Sequence, residues 1–208
     1  MTSVFGGGGV SPAGVGRQLA PAYRPGGFTM MHEGATNGGT AIPAVDVLYV
    51  YPFRVYGPAV VSSIFERLQT VGAGSAVKCA VWRADTTTGR PTGLPLFGQN
   101  TGFDTTAGTG IKSAAVSNYA ITPSVYFAGS VATGTLPVMT SVSASASFPA
   151  GILSGASANA AFGVPAAQST GYSTPFAYAG DIMALDVTGA TWSDVGTSGI
   201  PIIGLGWA

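Results

Sequence analysis

Residues 45–53 read Val45-Asp46-Val47-Leu48-Tyr49-Val50-Tyr51-Pro52-Phe53. Val45, Val47, Tyr49 and Tyr51 alternate with Asp46, Leu48 and Val50. A period of two in β-branched and aromatic residues predicts a strand. Both faces are rather apolar, as for a strand inside a sandwich. The same pattern returns at Val77–Trp82, where Lys78, Ala80 and Trp82 alternate with Val77, Cys79 and Val81. Ala114–Ile121, Ser124–Ala128, Ile182–Val187 and Ile200–Trp207 add further short apolar runs. Gly72-Ala73-Gly74 and the stretch Asp85–Gly93 are turn signals between them. Strands at this spacing predict an all-β fold, an antiparallel β-sandwich of jelly-roll-like kind.

One segment points two ways. Val60, Val61, Ile64, Phe65, Leu68 and Val71 fall at helical spacing, with Glu66 and Arg67 opposite. Val, Ile, Phe and Thr nevertheless favour strands. Pattern alone leaves residues 60–71 open between strand and helix.

Residues 1–40 differ from the rest of the chain. Gly6–Gly9, Pro12, Pro21, Pro25, Gly26-Gly27 and Gly38-Gly39 interrupt any regular period. Phe5, Leu19, Tyr23, Phe28, Met30 and Met31 are interspersed, whereas a pure linker is more polar. The expectation is an extended Gly/Pro-rich N-terminal arm over residues 1–40 that lays these six side chains on a neighbour; a disordered terminus is the alternative. The sandwich then spans residues 41–208. Within it, Thr133–Thr174 is a low-complexity excursion of Ala, Ser, Gly and Thr, with Phe148, Phe162 and Tyr172 as anchors.

Charge is scarce. Eight Lys and Arg and eight Asp and Glu make up 8% of the 208 residues, where a soluble domain carries roughly 25%. His32 and Cys79 are the single histidine and cysteine. Acid–base catalysis, metal binding and phosphate capture need groups this chain has few of. The basic residues are spread from Arg17 to Lys112, without the clustering that nucleic acid requires. With 46% hydrophobic residues, the chain has material for a core. Its apolar residues never run long enough for a membrane span, and residues 1–9 do not read as a secretory signal. Near-zero net charge on so few charged groups carries a solubility risk. Burial against other subunits resolves it, so an assembly protein is expected.

Individual motifs are weak. His32-Glu33 suggests a proton-transfer pair or a metal ligand, but no second His or Cys is near, and a surface or interface contact is the simpler reading. Cys79 reads as an inert core residue. Gly6–Gly9 lacks the preceding strand and the Gly-Lys-Ser/Thr of a phosphate loop. Asp181, Asp186 and Asp194 are too irregularly spaced for a calcium loop. A glycosidase pair of acids is spatial and so is not decided by spacing. No catalytic residue, metal ligand or cofactor is expected. Aromatic rings stack on sugar faces. Tyr49, Trp82 and Tyr126 read as core, which leaves Tyr172 and Trp192 as the candidate glycan-binding residues.

The block from Val45 to Ser130 resembles a β-sandwich module of tailed-bacteriophage virion proteins, especially tail fibres and spikes. The resemblance runs through Leu48-Tyr49-Val50-Tyr51-Pro52-Phe53, Ile64–Thr70 and Val71-Gly72-Ala73-Gly74-Ser75. It continues in Trp82-Arg83-Ala84-Asp85, where the family has an aromatic followed by Arg-Ala-Asp, and in Gly89-Arg90-Pro91-Thr92-Gly93-Leu94-Pro95, which resembles its Gly-x-Pro loop. Thr109-Gly110-Ile111-Lys112 and Thr122-Pro123-Ser124-Val125-Tyr126-Phe127-Ala128 close it, with Ser124 where the family commonly has Gly. These are turns and core aromatics, so they speak to fold and setting more than to activity. The resemblance favours a strand at residues 64–70. It implies a virion structural protein without enzymatic activity: a fibre, spike or capsid decoration that contacts other virion proteins. It also implies a homo-oligomer, with a trimer as the guess, and attachment to host-surface glycans. A free carbohydrate-binding module is the alternative, and a glycan depolymerase a third.

Overall fold

The computed structural model describes residues 26, 28–30, 36–42, 44–142, 171–195 and 200–208. The alternating runs, Ile182–Val187 excepted, are strands of two antiparallel sheets that pack face to face as a β-sandwich. Ile182–Val187 instead holds a 3-10 turn, because its apolar side chains cap an outer sheet face without pairing to a strand. One sheet centres on β3 (Val47–Val55), β5 (Ala76–Ala84) and β8 (Ser124–Thr133). It is completed by β6 (Pro91–Asp104), β10 (Tyr172–Pro175) and β11 (Ser193–Asp194) in the order β11-β10-β3-β8-β5-β6. The other centres on β4 (Ala59–Thr70), with β7 (Gly110–Ile121) on one side. On its other side lie β13 (Ile203–Trp207) and, near its end, β9 (Val138–Val142). From β3 to β5 and from β6 to β9 the chain changes sheet at each connection.

Residues 60–71 are therefore a strand up to Thr70. Their helical spacing has a physical source. The pairing of β4 with β13 passes over Ser62 between Val61 and Ser63, a bulge on β4. A bulge inserts one residue and reverses the alternation beyond it. Val61, Ile64 and Leu68 all reach the inter-sheet core, and the step of three across the bulge mimics a helix. Phe65 faces the other way and lies over Gly204 of β13, where a side chain on the glycine would strike the ring.

The boundary expected at residue 40 falls inside a strand. β1 (Phe28–Met30) pairs with Gly204–Gly206 of β13, and β2 (Thr36–Ala41) pairs with β9. The Gly and Pro breakers interrupt the side-chain period, but backbone pairing to an existing sheet needs no apolar period. Likewise, the low-complexity stretch contributes β9 at one end and β10 at the other. Its residues 143–170 lie outside the described residues, as do residues 1–25.

Pro52 sits inside β3, where a lost N–H breaks a ladder. The break is harmless here, because β10 pairs only with Val47–Val50 and Pro52 lies past the end of that ladder.

β3, β5 and β8 are buried on both faces. Tyr51, Phe53, Cys79, Val81 and Ala128 point into the core between the sheets. Leu48, Val50, Ala80, Trp82, Phe127 and Val131 point the other way, into a second cluster with Tyr172, Ile182, Val187 and Trp192. The segment after β10, with a 3-10 turn at Ile182–Ala184, forms a third layer over this outer face. Lys78 fastens it: Nζ donates to Tyr178 O at 2.8 Å and Gly180 O at 2.9 Å and lies 4.6 Å from the Tyr178 ring centre. The Trp82 indole N–H reaches Leu185 O at 3.5 Å.

Two polar links cross the core between the sheets. Tyr51 Oη accepts from Ile203 N at 2.9 Å and donates to Ile203 O at 3.1 Å. Ser130 Oγ donates to Glu66 Oε1 at 2.5 Å. Glu66 is 1% exposed, and among the described residues its Oε2 has no hydrogen-bond partner. Burial pushes its carboxyl up to about 7, with the Ser130 bond acting against the rise. The folded chain thus holds the Glu66 proton more tightly than the unfolded chain does. Stability from this group is present in full near pH 4 and falls as pH rises from about 4.5 to 7. At about 1.4 kcal/mol per pH unit over that window, the loss is on the order of 3 kcal/mol. Glu66→Gln should keep the bond to Ser130 without the charge. It is expected to melt higher than the parent at pH 8 and similarly at pH 5, as followed by thermal denaturation across pH. Lys78→Met should leave the sandwich folded but loosen its cover. Amide exchange at Tyr178–Leu185 is expected to speed up by more than exchange in β4.

Candidate functional site

Asx turns recur along this chain, and they account for four of the seven acids among the described residues. A carboxylate that accepts from backbone N–H groups two and three residues on closes a turn without help from the core. Asp85 Oδ1 accepts from Thr87 N at 2.8 Å and Thr88 N at 2.6 Å. Asp104 takes Thr106 N at 2.8 Å, Asp181 takes Met183 N at 2.9 Å and Asp186 takes Thr188 N at 2.8 Å. Asp46, in the left-handed region at φ 55°, takes Tyr178 N at 2.7 Å. Asp85, Asp104 and Asp186 are held below the usual carboxylate range, Asp85 and Asp186 chiefly by backbone N–H donors and Asp104 chiefly by the Thr106 hydroxyl. Of the acids read at the sequence level, Asp181 and Asp186 are thus turn residues, and Asp194 lies on β11.

Two of these turns face each other and form a cleft of about 220 Å³. One wall is the β5–β6 turn. It is closed by Asp85 N to Arg90 O at 2.8 Å and Gly89 N to Asp85 O at 2.9 Å. The other is the turn after Val187, closed by Ala190 N to Val187 O at 3.1 Å. Gly93 stitches the walls together: its O accepts from Val187 N at 3.1 Å, and its N donates to Thr188 Oγ1 at 3.1 Å. Thr92 and Thr188 hydroxyls lie 3.5 Å apart. Asp85, Thr88, Arg90, Thr92 and Thr188 supply the polar lining, and Trp192 the aromatic one.

Tyr172 lies beneath this cleft rather than on its wall, and Trp192 meets the cleft with little of its ring exposed. Tyr172 is 1% exposed and Trp192 is 8% exposed. Their rings are 6.3 Å apart, and Tyr172 also packs at 6.1 Å against Phe127. Burial pushes the Tyr172 hydroxyl up to about 12, with Asp194 adding to the rise and Arg90 acting against it. The Arg90 guanidinium lies 5.5 Å from the Tyr172 ring centre, within cation–π range. Tyr172 therefore has no ring face left for a ligand. Trp192 lines the cleft while packing in the outer cluster. Tyr172, on β10, belongs to the sheet, and Trp192 to the segment that covers it, a cover that the sequence pattern does not announce.

The remaining candidates fall elsewhere. Phe28 and Met30 lie on β1. Phe5, Leu19, Tyr23 and Met31 lie outside the described residues, as do His32 and Glu33. Cys79 is fully buried, and burial pushes its thiol up, the direction that makes a thiol unreactive. Among the described residues no group of three or more His, Cys, Asp or Glu side chains gathers as a metal site. None of the described helices is long and apolar enough to cross a membrane.

Sequence reading missed Arg90, Thr88, Thr92 and Thr188, since these stand in segments that read only as turns. The signal was there in the repeated Asp-x-Thr spacing of Asp85, Asp104 and Asp186. No protein-family model matches this chain, and no curated protein matches it.

Trp192→Ala is expected to lower unfolding stability by about 3 kcal/mol, the usual cost of removing a buried large ring. Denaturant titration should detect it without any ligand present.

Proposed function

We propose that this chain is a structural component of a phage or phage-like virion, a fibre, spike or decoration protein exposed on the particle, with host-surface glycans as its ligand. The observation that carries the assembly part is β7. It is a twelve-residue strand that pairs, among the described residues, along one side only, with β4. Lys112 is its single charge, and Ile111 is 68% exposed. A long open edge templates further pairing, and free monomers usually blunt such edges with charge, bulges, proline or a covering element; β7 carries only Lys112 and the register shift opposite Val61–Ser63. A sister subunit laid along β7 satisfies that edge. It also relieves the solubility burden of a chain with 8% charged residues. The likeness of residues 45–130 to phage fibre and spike modules supports the same setting, and a homotrimer is the assembly we propose.

A free carbohydrate-binding module is the second reading. The hydroxyl-lined cleft beside Trp192 favours it, because such a module needs a sugar site and no partner. The two readings differ in the fate of β7. Light scattering coupled to size exclusion should give a discrete homo-oligomer for the full chain, and the chain should sediment with purified particles. The double variant I111K/A115K places cations along the edge and is expected to remain folded but run as a monomer. A clean parent monomer that stays off particles would leave the free module as the better account. Deletions that probe docking should stop before Gly26, so that β1 and β2 stay in the sheet.

A further inference from the structure

We propose that the cleft between the β5–β6 turn and the turn after Val187 is a binding site for a single neutral saccharide ring with adjacent free hydroxyls. This rests on the glycan-binding reading above and names its site and ligand class.

The size of the cleft sets the first limit. At about 220 Å³ it is smaller than the roughly 300–1,000 Å³ that encloses drug-sized ligands. One ring fits, and a chain must run out over the rim.

The lining sets the second. Thr88, Thr92 and Thr188 present hydroxyls, each both donor and acceptor. Arg90 adds a fork of donors and Asp85 adds an acceptor. A ligand that satisfies all of these carries several groups that donate and accept at once, as sugar hydroxyls do. Trp192 and Val187 give one part of the wall an apolar character, which suits the C–H face of a pyranose.

Charge sets the third limit. Arg90 and Asp85 both line the cleft, so it carries one charge of each sign. An acidic sugar meets the Asp85 carboxylate, and an amino sugar meets the guanidinium. A neutral ring meets neither penalty and uses both partners.

Preorganisation completes the case. Both walls are closed by their own backbone hydrogen bonds, and Gly93 fixes their separation. Arg90 rests over Tyr172, so its fork is held in place before a ligand arrives. A site with its donors already fixed loses less on binding.

The test is ligand-observed NMR and titration on the full chain. The probes are the methyl glycosides of glucose, galactose, mannose and fucose, with glucuronate and glucosamine for the charged classes. At least one neutral glycoside should bind, ahead of both charged sugars. Arg90→Met keeps an aliphatic cover on Tyr172 and removes the donor fork. Thr92→Val keeps the shape and removes a hydroxyl. Arg90→Met is expected to weaken binding by about tenfold or more, and Thr92→Val by less. Arg67→Ala, on β4 in the other sheet, should change nothing. Melting curves check that each variant folds, and either cleft variant alone suffices. Binding that survives both cleft variants would place the site elsewhere and overturn this proposal while the glycan reading stands. Preference for glucuronate or glucosamine would overturn the ligand class. Failure of every probe to bind would overturn the proposal and the glycan reading together.

Discussion

The sheet built on β3, β5 and β8 has two apolar faces, and the rest of the molecule answers to that. One face is covered by the other sheet. The other carries Leu48, Val50, Trp82 and Phe127, and leaving such side chains in water costs about 1.5–3 kcal/mol each. The segment after β10 removes that cost by folding over them as a third layer. Lys78 holds the layer through two carbonyls, since a segment with so little regular structure has few backbone bonds of its own to offer. The cleft follows from the same cover. Bringing Val187 and Trp192 down onto the sheet sets the turn after Val187 against the β5–β6 turn. The site is a seam between a layer and the sheet edge it overlaps.

A chain this poor in charge spends its acids on architecture. Five of the seven acids in the described residues accept backbone N–H groups at turns. Glu66 crosses the core to Ser130 instead, beside Tyr51 and Cys79. Lys112 stands opposite Glu66 in the β4–β7 register but turns its Nζ to Ala107 O at 2.7 Å, so Lys112 does not answer the carboxyl. A neutral, protonated Glu66 is a hydrogen-bonding core residue. An ionised one is a buried charge with one partner, which favours opening of the sheets.

Much of the fold was legible because alternation reports burial directly. Val45–Phe53 read as a strand apolar on both faces, as β3 is, and Val77–Trp82 read as a second strand, as β5 is. What alternation does not report is what covers each face. Tyr172 looked like a loop aromatic free to meet a sugar, yet it lies on β10 with its ring packed among Phe127, Trp192 and Arg90, since nothing local in the sequence marks where a distant strand needs cover. Trp192, in that cover, keeps a place on the cleft wall. Residues 60–71 were ambiguous because one bulge at Val61–Ser63 reproduces a helical step. β1 and β2 were illegible for a different reason. Strands that add to a sheet edge through backbone bonds need no side-chain pattern, and glycine hides them further.

The two proposed roles draw on separate parts of the molecule. β7 is an edge of one sheet, and a subunit that pairs with it extends that sheet. The cleft lies over the other sheet, roofed by the segment that covers its outer face. Pairing along β7 consumes backbone groups and a few small side chains, none of which line the cleft. Closing the edge also adds no new charge, so it preserves a surface on which hydroxyls carry the polar contacts. For a neutral sugar this matters, because its binding depends on hydrogen bonds that competing fixed charges would otherwise disturb. An assembly closed through β7 thus presents the same cleft once per subunit. On the proposed reading, several weak single-ring contacts on one particle would add as an avidity that no single cleft supplies.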